Sequence, residues 1–195
     1  MARRTGVVTI LAIVGAVAVG VLASVGVAGG GKSKSMEAKL IGYEEVPAIS
    51  TAARGKIKLK IRNGSTGTID YRLSYSGLTN PATQAHIHFA QEGVNGGIVL
   101  WLCDSVANNS PVADTPACPA GNTANKETVS GTLDATDVQA VAAQGIAAGE
   151  LLEVLAAMKA GVTYANVHTS ATATPPGFPG GEIRGQLDRR KHDDD

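Results

Sequence analysis

The stretch from Arg54 to Leu78, RGKIKLKIRNGSTGTIDYRLSYSGL, decides the fold class, because apolar and polar residues alternate along it in two successive runs. Successive side chains of a β-strand point to opposite faces, so each run predicts a strand with one buried and one solvated face. Asn63-Gly64 lies between the runs, and this dipeptide favours a tight turn. The stretch therefore predicts an antiparallel hairpin, whose buried residues are Ile57, Leu59, Ile61, Ile69, Tyr71, Leu73 and Tyr75.

Similar short runs recur on both sides of this hairpin, separated by turns rich in Gly, Pro and Asn. The chain has 24 glycines and 17% charged residues, which is typical of a small β-rich domain and not of a helical bundle. One region differs: apolar residues repeat at helical spacing between 151 and 158, after candidate N-caps at Asp134 and Thr136 and before a candidate stop at Gly161. We predict a mainly β fold, an antiparallel Greek-key β-sandwich or barrel of about eight strands with a short helical insertion.

Residues 1–28 form a segment separate from this domain. Arg3 and Arg4 precede a run from Gly6 to Ala28 that contains no charged residue. Such a segment is either a cleaved signal peptide or an N-terminal hydrophobic helix that anchors the chain in the membrane. Both alternatives send the remainder out of the cytoplasm. We therefore expect the protein to be exported: secreted, periplasmic or held at the cell surface, with a membrane contact if the segment stays uncleaved.

The rest of the chain divides by composition. Residues 29–35, GGGKSKS, predict a flexible linker, residues 36–188 the β domain, and residues 189–195, RRKHDDD, a charged tail. The formal net charge is zero, and no basic patch with interleaved aromatic residues is present. A nucleic-acid-binding function is therefore excluded.

Two cysteines, Cys103 and Cys118, flank a polar stretch of the β domain. In an exported protein an even pair most simply predicts a disulfide bond. Closing a loop of about fifteen residues contributes roughly 3 kcal/mol to stability in the chain-entropy description. The alternative is a pair of metal thiolates, although the spacing is long for a zinc site and no second pair accompanies it.

The segment QAHIHF places His86 and His88 on one face of a predicted strand, because residues i and i+2 point the same way. His168 lies on another predicted strand, where Asn166 shares its face. If the two strands are neighbours, the three imidazoles could bind copper or zinc. Glu182 could then be a fourth ligand or a carboxylate that orients an imidazole.

The same residues permit a second interpretation, in which the histidines are polar core residues that join neighbouring strands through hydrogen bonds. Glu182 and Arg184 share one face of the last predicted strand and, with Asn166, could complete such a network. Both interpretations stay open at this stage.

No catalytic residues are predicted. The sequence contains neither a G-x-S-x-G elbow nor a nucleotide-binding glycine motif. Glu44 and Glu45 are adjacent on a predicted strand, so their carboxylates point to opposite faces. We therefore expect a protein that is not an enzyme, with metal-dependent activity as the one alternative.

Three motifs in order resemble the CHRD domain, a family named from chordin that also occurs in exported bacterial proteins. These are LIGYEEVP from Leu40, AHIHFAQEGVNGGIVLWLC from Ala85, and YANVHTSATATPPGFPGGEIRGQL from Tyr164. The resemblance spans Met36 to Leu187 and departs from the family in its longer turn before the last glycines. It implies a β-rich extracytoplasmic module without specifying a substrate. Chordin's role against growth factors is not carried over, because this chain has none of chordin's cysteine-rich modules.

Two functions remain as hypotheses. The first is a non-enzymatic exported or surface-anchored β-domain that binds or assembles with an extracytoplasmic protein or ligand. The second is periplasmic or extracellular binding of copper or zinc through His86, His88 and His168.

Overall fold

The computed structural model describes residues 34–62, 67–105, 110–172 and 174–189. The predicted N-terminal segment, most of the linker, the Asn63-Gly64 turn and the tail from residue 190 lie outside the described residues. Within these four ranges, no helix is both long enough and apolar enough to cross a membrane.

Antiparallel strands are the main regular structure of the described chain, and the only α-helix in it is short. Eight strands follow one another in the order β5-β4-β7-β8-β1-β2-β3-β6, and the two-residue β9 pairs with β1. The elements are β1 Lys34–Ile41, β2 Arg54–Arg62, β3 Thr68–Ser76, β4 Ala82–Phe89, β5 Gly97–Asp104, β6 Glu127–Leu133, α1 Leu151–Lys159, β7 Thr163–Thr169, β8 Ile183–Gln186 and β9 Asp188–Arg189.

The sheet curls until its two end strands approach each other. The end strands β5 and β6 contact each other, and Tyr71 on β3, the neighbour of β6, donates a hydrogen bond of 2.6 Å from its hydroxyl to the carbonyl of Leu102 on β5. The result is a nearly closed, barrel-like sheet with little helix. The prediction of a mainly β, antiparallel fold of about eight strands is confirmed.

The hairpin that decides the fold class forms as its alternation predicts. β2 and β3 pair in a continuous register that sets Ile57 against Leu73 and Leu59 against Tyr71. All seven predicted apolar residues of the two strands are buried, whereas Lys58 and Lys60 are exposed. One face of this hairpin therefore lies on the core and the other faces solvent.

The helical insertion forms where the apolar spacing predicts it, as α1 Leu151–Lys159, but the residues after the candidate cap Asp134 form only 3-10 turns. Asp134 caps a 3-10 turn at Ala135–Asp137, where its side chain accepts from the backbone N–H of Thr136 at 2.7 Å. A second 3-10 turn ends at Gly145, which has φ +85°, so the chain does not continue into a helix there. α1 then buries Leu151, Val154, Ala157 and Met158, and Gly161 follows its end with φ +74°.

β4 and β7 are buried on both faces, which is what creates an internal polar site. Ala85 and Ile87 on β4, with Ala165 and Val167 on β7, belong to the hydrophobic core. The alternate residues of both strands therefore point away from the core. Loops 90–96 and 174–182 contact that outer face through the carbonyls of Gly96 and Pro179, and loop 42–53 contacts loop 90–96 through Val46.

The predicted disulfide bond between Cys103 and Cys118 is confirmed. It joins β5 to the loop that follows, and no free cysteine remains in the chain.

Candidate metal centre

The three sequence-predicted histidines meet on the outer face of the sheet, because β4 and β7 are neighbours. The register pairs His86 with Asn166, His88 with Tyr164, and Gln84 with His168. His86 and His88 therefore lie two positions apart on the same face of β4, and His168 on β7 lies diagonally across from His86.

The imidazoles come within ligand distance of one another. One ring nitrogen from each histidine lies within 4.8 Å of the other two. The closest pair is His86 Nδ1 and His168 Nε2, 3.1 Å apart. The residues are only 1%, 7% and 8% exposed for His86, His88 and His168, so the cluster is shielded from bulk water.

Backbone carbonyls set the proton positions on two of the rings. His88 Nδ1 lies 2.9 Å from the carbonyl of Gly96, and His168 Nδ1 lies 2.9 Å from the carbonyl of Pro179. Since a carbonyl only accepts, each Nδ1 must carry the hydrogen. In a neutral ring the Nε2 atom then keeps its lone pair, and a metal ion binds at this nitrogen.

The side-chain amide of Asn166 lies between these two Nε2 atoms. Its Oδ1 is 3.1 Å from His88 Nε2 and 3.0 Å from His168 Nε2. An amide oxygen cannot pair with a lone pair, whereas the amide NH₂ can donate to His88 Nε2 if the group is turned by 180°, because the lone pair of His168 Nε2 already faces His86 Nδ1. Neutral imidazoles therefore require the turned amide, and Asn166 then holds the cluster together without a metal.

His86 is left with an unused nitrogen. Its Nδ1 donates to His168 Nε2, and its buried Nε2 has no hydrogen-bond partner among the described residues. The Trp101 ring on β5 packs edge-on against His86, with ring centroids 4.2 Å apart. A buried nitrogen lone pair without a partner is costly in a folded protein, so this atom marks a place for an electron-pair acceptor.

Burial keeps the imidazoles neutral. Loss of hydration lowers the pKa of His86 to about 2 and that of His88 to about 4, and it also lowers the pKa of His168. The neighbouring histidines lower the pKa of His86 further. Neutral rings are the form that binds metal, so no proton has to be displaced at neutral pH.

A charged residue completes the wall of the site. The Arg184 guanidinium lies 3.4 Å from the ring centre of Tyr164, whose ring stacks parallel to His88 at 4.7 Å. Arg184 is 1% exposed and donates to the carbonyl of Val94 and to Asn95 Oδ1. The guanidinium therefore fixes loop 90–96, which supplies the Gly96 carbonyl to His88.

Glu182 belongs to a separate polar network. Its carboxylate is fully buried and accepts hydrogen bonds from Thr51, Thr79 and Thr169. The hydrogen bonds of Glu182 to described residues thus go to threonines and not to imidazoles. Glu182 lies just before β8, and its carboxylate contacts threonines, whereas the Arg184 guanidinium contacts Tyr164 in the wall of the histidine cluster.

Glu45 was missed by the sequence reasoning, which considered it only as half of an adjacent pair. It is 6% exposed, and its Oε1 has no described hydrogen-bond partner. Burial raises its pKa to about 7, although the nearby Arg184 charge lowers it in part. A Cβ built on Gly181 would lie 2.5 Å from Glu45 Oε1 and 2.9 Å from Asn166 Nδ2, so glycine lets these groups approach.

Comparison with known families agrees with this architecture. The sequence model of the CHRD domain matches residues 36–187, which is most of the chain. Searches of curated proteins and of solved structures found no significant match. The matched range contains the whole histidine cluster and, apart from the first two residues of β1, all eight strands of the main sheet path. The chain therefore belongs to the CHRD domain family.

Proposed function

We propose that this protein is a non-enzymatic extracytoplasmic β-domain that binds a copper or zinc ion through His86, His88 and His168. The observation that carries the proposal is the cluster of three buried imidazoles whose ligand atoms lie within 4.8 Å of one another. Nitrogen ligands of one such ion are at most about 4 Å apart, because each bond is near 2 Å. The widest separation in the cluster exceeds this limit by less than 1 Å, so the rings would have to move closer together to share one ion.

Three features support a location outside the cytoplasm. The Cys103–Cys118 disulfide is typical of proteins in oxidising compartments. CHRD membership is compatible with an extracellular module, and the apolar segment 1–28 predicts export. Export by cleavage or by anchoring remains part of the proposal.

The metal content of the untagged protein tests the proposal. After loading with copper or zinc and dialysis, we expect about one retained ion per chain by mass spectrometry. The His86→Ala/His88→Ala variant should lose it. His192→Ala is the matched control, since it removes the one other histidine of the chain, in the tail. A variant that is less stable but binds as much metal as the wild type would contradict the proposal.

A second candidate function is assembly with another extracytoplasmic molecule. Leu152 on α1 is 65% exposed and borders a hollow of about 240 Å³ whose apolar lining includes Met36, Ile61 and Leu155. An exposed apolar side chain beside such a hollow could be covered by a partner. Sedimentation of wild type and Leu152→Asp tests self-assembly: a concentration-dependent increase in mass that the variant lacks supports it, and a monomer at all concentrations contradicts it.

A further inference from the structure

The donor set of the histidine cluster carries no negative charge. Among the described residues, His86, His88 and His168 form the only group of three or more His, Cys, Asp or Glu side chains with converging ligand atoms. The cysteines are joined in the disulfide, and the Glu182 carboxylate is held by threonines. An ion in this cluster would therefore keep its full charge.

The surroundings add a positive charge. The buried Arg184 guanidinium contacts the face of Tyr164, and Tyr164 stacks on His88. Glu45 offsets this charge only in part at neutral pH, because burial raises its pKa to about 7. Placing an uncompensated charge in a buried site is unfavourable, and the electrostatic penalty rises steeply from a monovalent to a divalent ion.

The coordination number also favours a monovalent ion over a divalent one. Zinc in proteins is almost always four-coordinate, and its fourth ligand is a side chain, water or an anion. The three described histidines are at most 8% exposed, which restricts solvent as a fourth ligand. A monovalent copper ion, in contrast, is satisfied by two or three ligands and needs no fourth one.

We propose that the three-histidine cluster selects monovalent copper over Zn(II) and Cu(II). This inference rests on the proposed metal-binding function and adds the oxidation state of the ion. Three features account for the proposed selectivity: the neutral donor set, the buried Arg184 charge and the lack of a fourth described ligand.

The chain contains its own reporter for the test. Trp101 is the only tryptophan, and its ring packs against His86 at 4.2 Å. Silver(I), a redox-inert mimic of Cu(I), requires no reductant, so the disulfide stays intact during the titration. We expect Ag(I) to change the Trp101 fluorescence with a 1:1 end point and to bind at least 100-fold more tightly than Zn(II). Cu(I), added anaerobically, should compete with Ag(I).

The outcomes separate the two proposals. Equal affinity for Zn(II) and Ag(I) would overturn the selectivity and leave metal binding intact. Failure of every ion to bind, by fluorescence and by mass spectrometry, would overturn both. The His192→Ala variant should behave as the wild type, and Trp101→Phe should lose the fluorescence signal while it retains the ion by mass spectrometry.

A variant that adds a negative charge to the site tests the electrostatic explanation of the selectivity. Because Asn166 Oδ1 lies within 3.1 Å of both His88 Nε2 and His168 Nε2, Asn166→Asp inserts a carboxylate beside the same ligands. We expect the ratio of Ag(I) to Zn(II) affinity to fall by at least tenfold. An unchanged ratio in a variant with a native far-UV circular dichroism spectrum would overturn the electrostatic explanation.

Discussion

Arg184 and Glu182 are charged side chains that both lie in the interior, two positions apart at the start of β8. Each is stabilised by groups that replace water: Arg184 by a carbonyl, an amide and an aromatic ring, and Glu182 by three threonines. A buried charge persists only with such partners. These contacts hold the loops that cover the histidines.

Glu45 should make the stability of the domain depend on pH. Burial raises its pKa to about 7 from an ordinary value of 4.5, so the folded state favours the protonated carboxyl. The raised pKa of Glu45 therefore contributes to the stability of the folded state below pH 4.5, and this contribution is lost as the pH rises toward 7. We expect the free energy of unfolding of Glu45→Gln, relative to wild type, to increase by about 2 kcal/mol between pH 5 and pH 7.

Urea unfolding at a series of pH values measures this difference. Glu44→Gln is the matched control, because Glu44 is the exposed neighbour in the same turn. A Glu45→Gln difference that stays constant over this range would show that Glu45 is charged in the folded protein at acidic pH.

Gly181 has a conformation and an environment that exclude a side chain. Its φ is +125°, and a Cβ there would lie 2.5 Å from Glu45 Oε1. We expect Gly181→Ala to lower the free energy of unfolding by about 2 kcal/mol. Gly180→Ala is the control, because a Cβ on Gly180 meets nothing within 4 Å, and thermal unfolding should separate the two variants. Equal stability of the two would contradict the crowding described here.

Strand order brings distant segments of the chain together at the site. β4, β7 and β8 are adjacent, although β4 ends at Phe89 and β7 begins only at Thr163. The three strands carry the histidines, Asn166, Tyr164 and Arg184. Non-local pairing of this kind has a loop-closure cost that the buried core must offset.

The end strands β5 and β6 meet where the barrel closes, and Tyr71 on the neighbouring β3 reaches β5 beside that contact. Tyr71 is 4% exposed, and burial raises its pKa to about 12. In Tyr71→Phe the buried carbonyl of Leu102 loses its donor, so we expect a loss of about 1–2 kcal/mol in denaturant unfolding. Tyr43→Phe is the control, because Tyr43 is 68% exposed, and it should leave the midpoint unchanged. An equally small effect at Tyr71 would mean that the end strands do not depend on this bond.

The disulfide stabilises the domain as a unit. It closes a loop of 15 residues between the end of β5 and the segment that leads to β6. We expect Cys103→Ala/Cys118→Ala to lower the free energy of unfolding by about 3 kcal/mol. Wild type in a reducing buffer should show the same loss, whereas the variant should not respond to the reductant. A variant as stable as the oxidised wild type would contradict this assignment.

Local pattern alone was sufficient for several features. The alternation in β2 and β3 identified the hairpin and all seven buried residues, because a period of two follows from strand geometry. The same period put His86 and His88 on one face, and the even cysteine pair indicated the disulfide. Each of these predictions depends on residues close in sequence or on the number of cysteines.

Which groups meet on the outer face depended on long-range pairing. His168 reaches His86 because β7 pairs with β4, while Glu182 is drawn to threonines and Glu45 is buried beside Arg184. A strand pattern specifies which way a side chain points but not which strand lies next to it. Burial of both faces of β4 and β7 selected the neighbours, and that burial also made the imidazoles neutral.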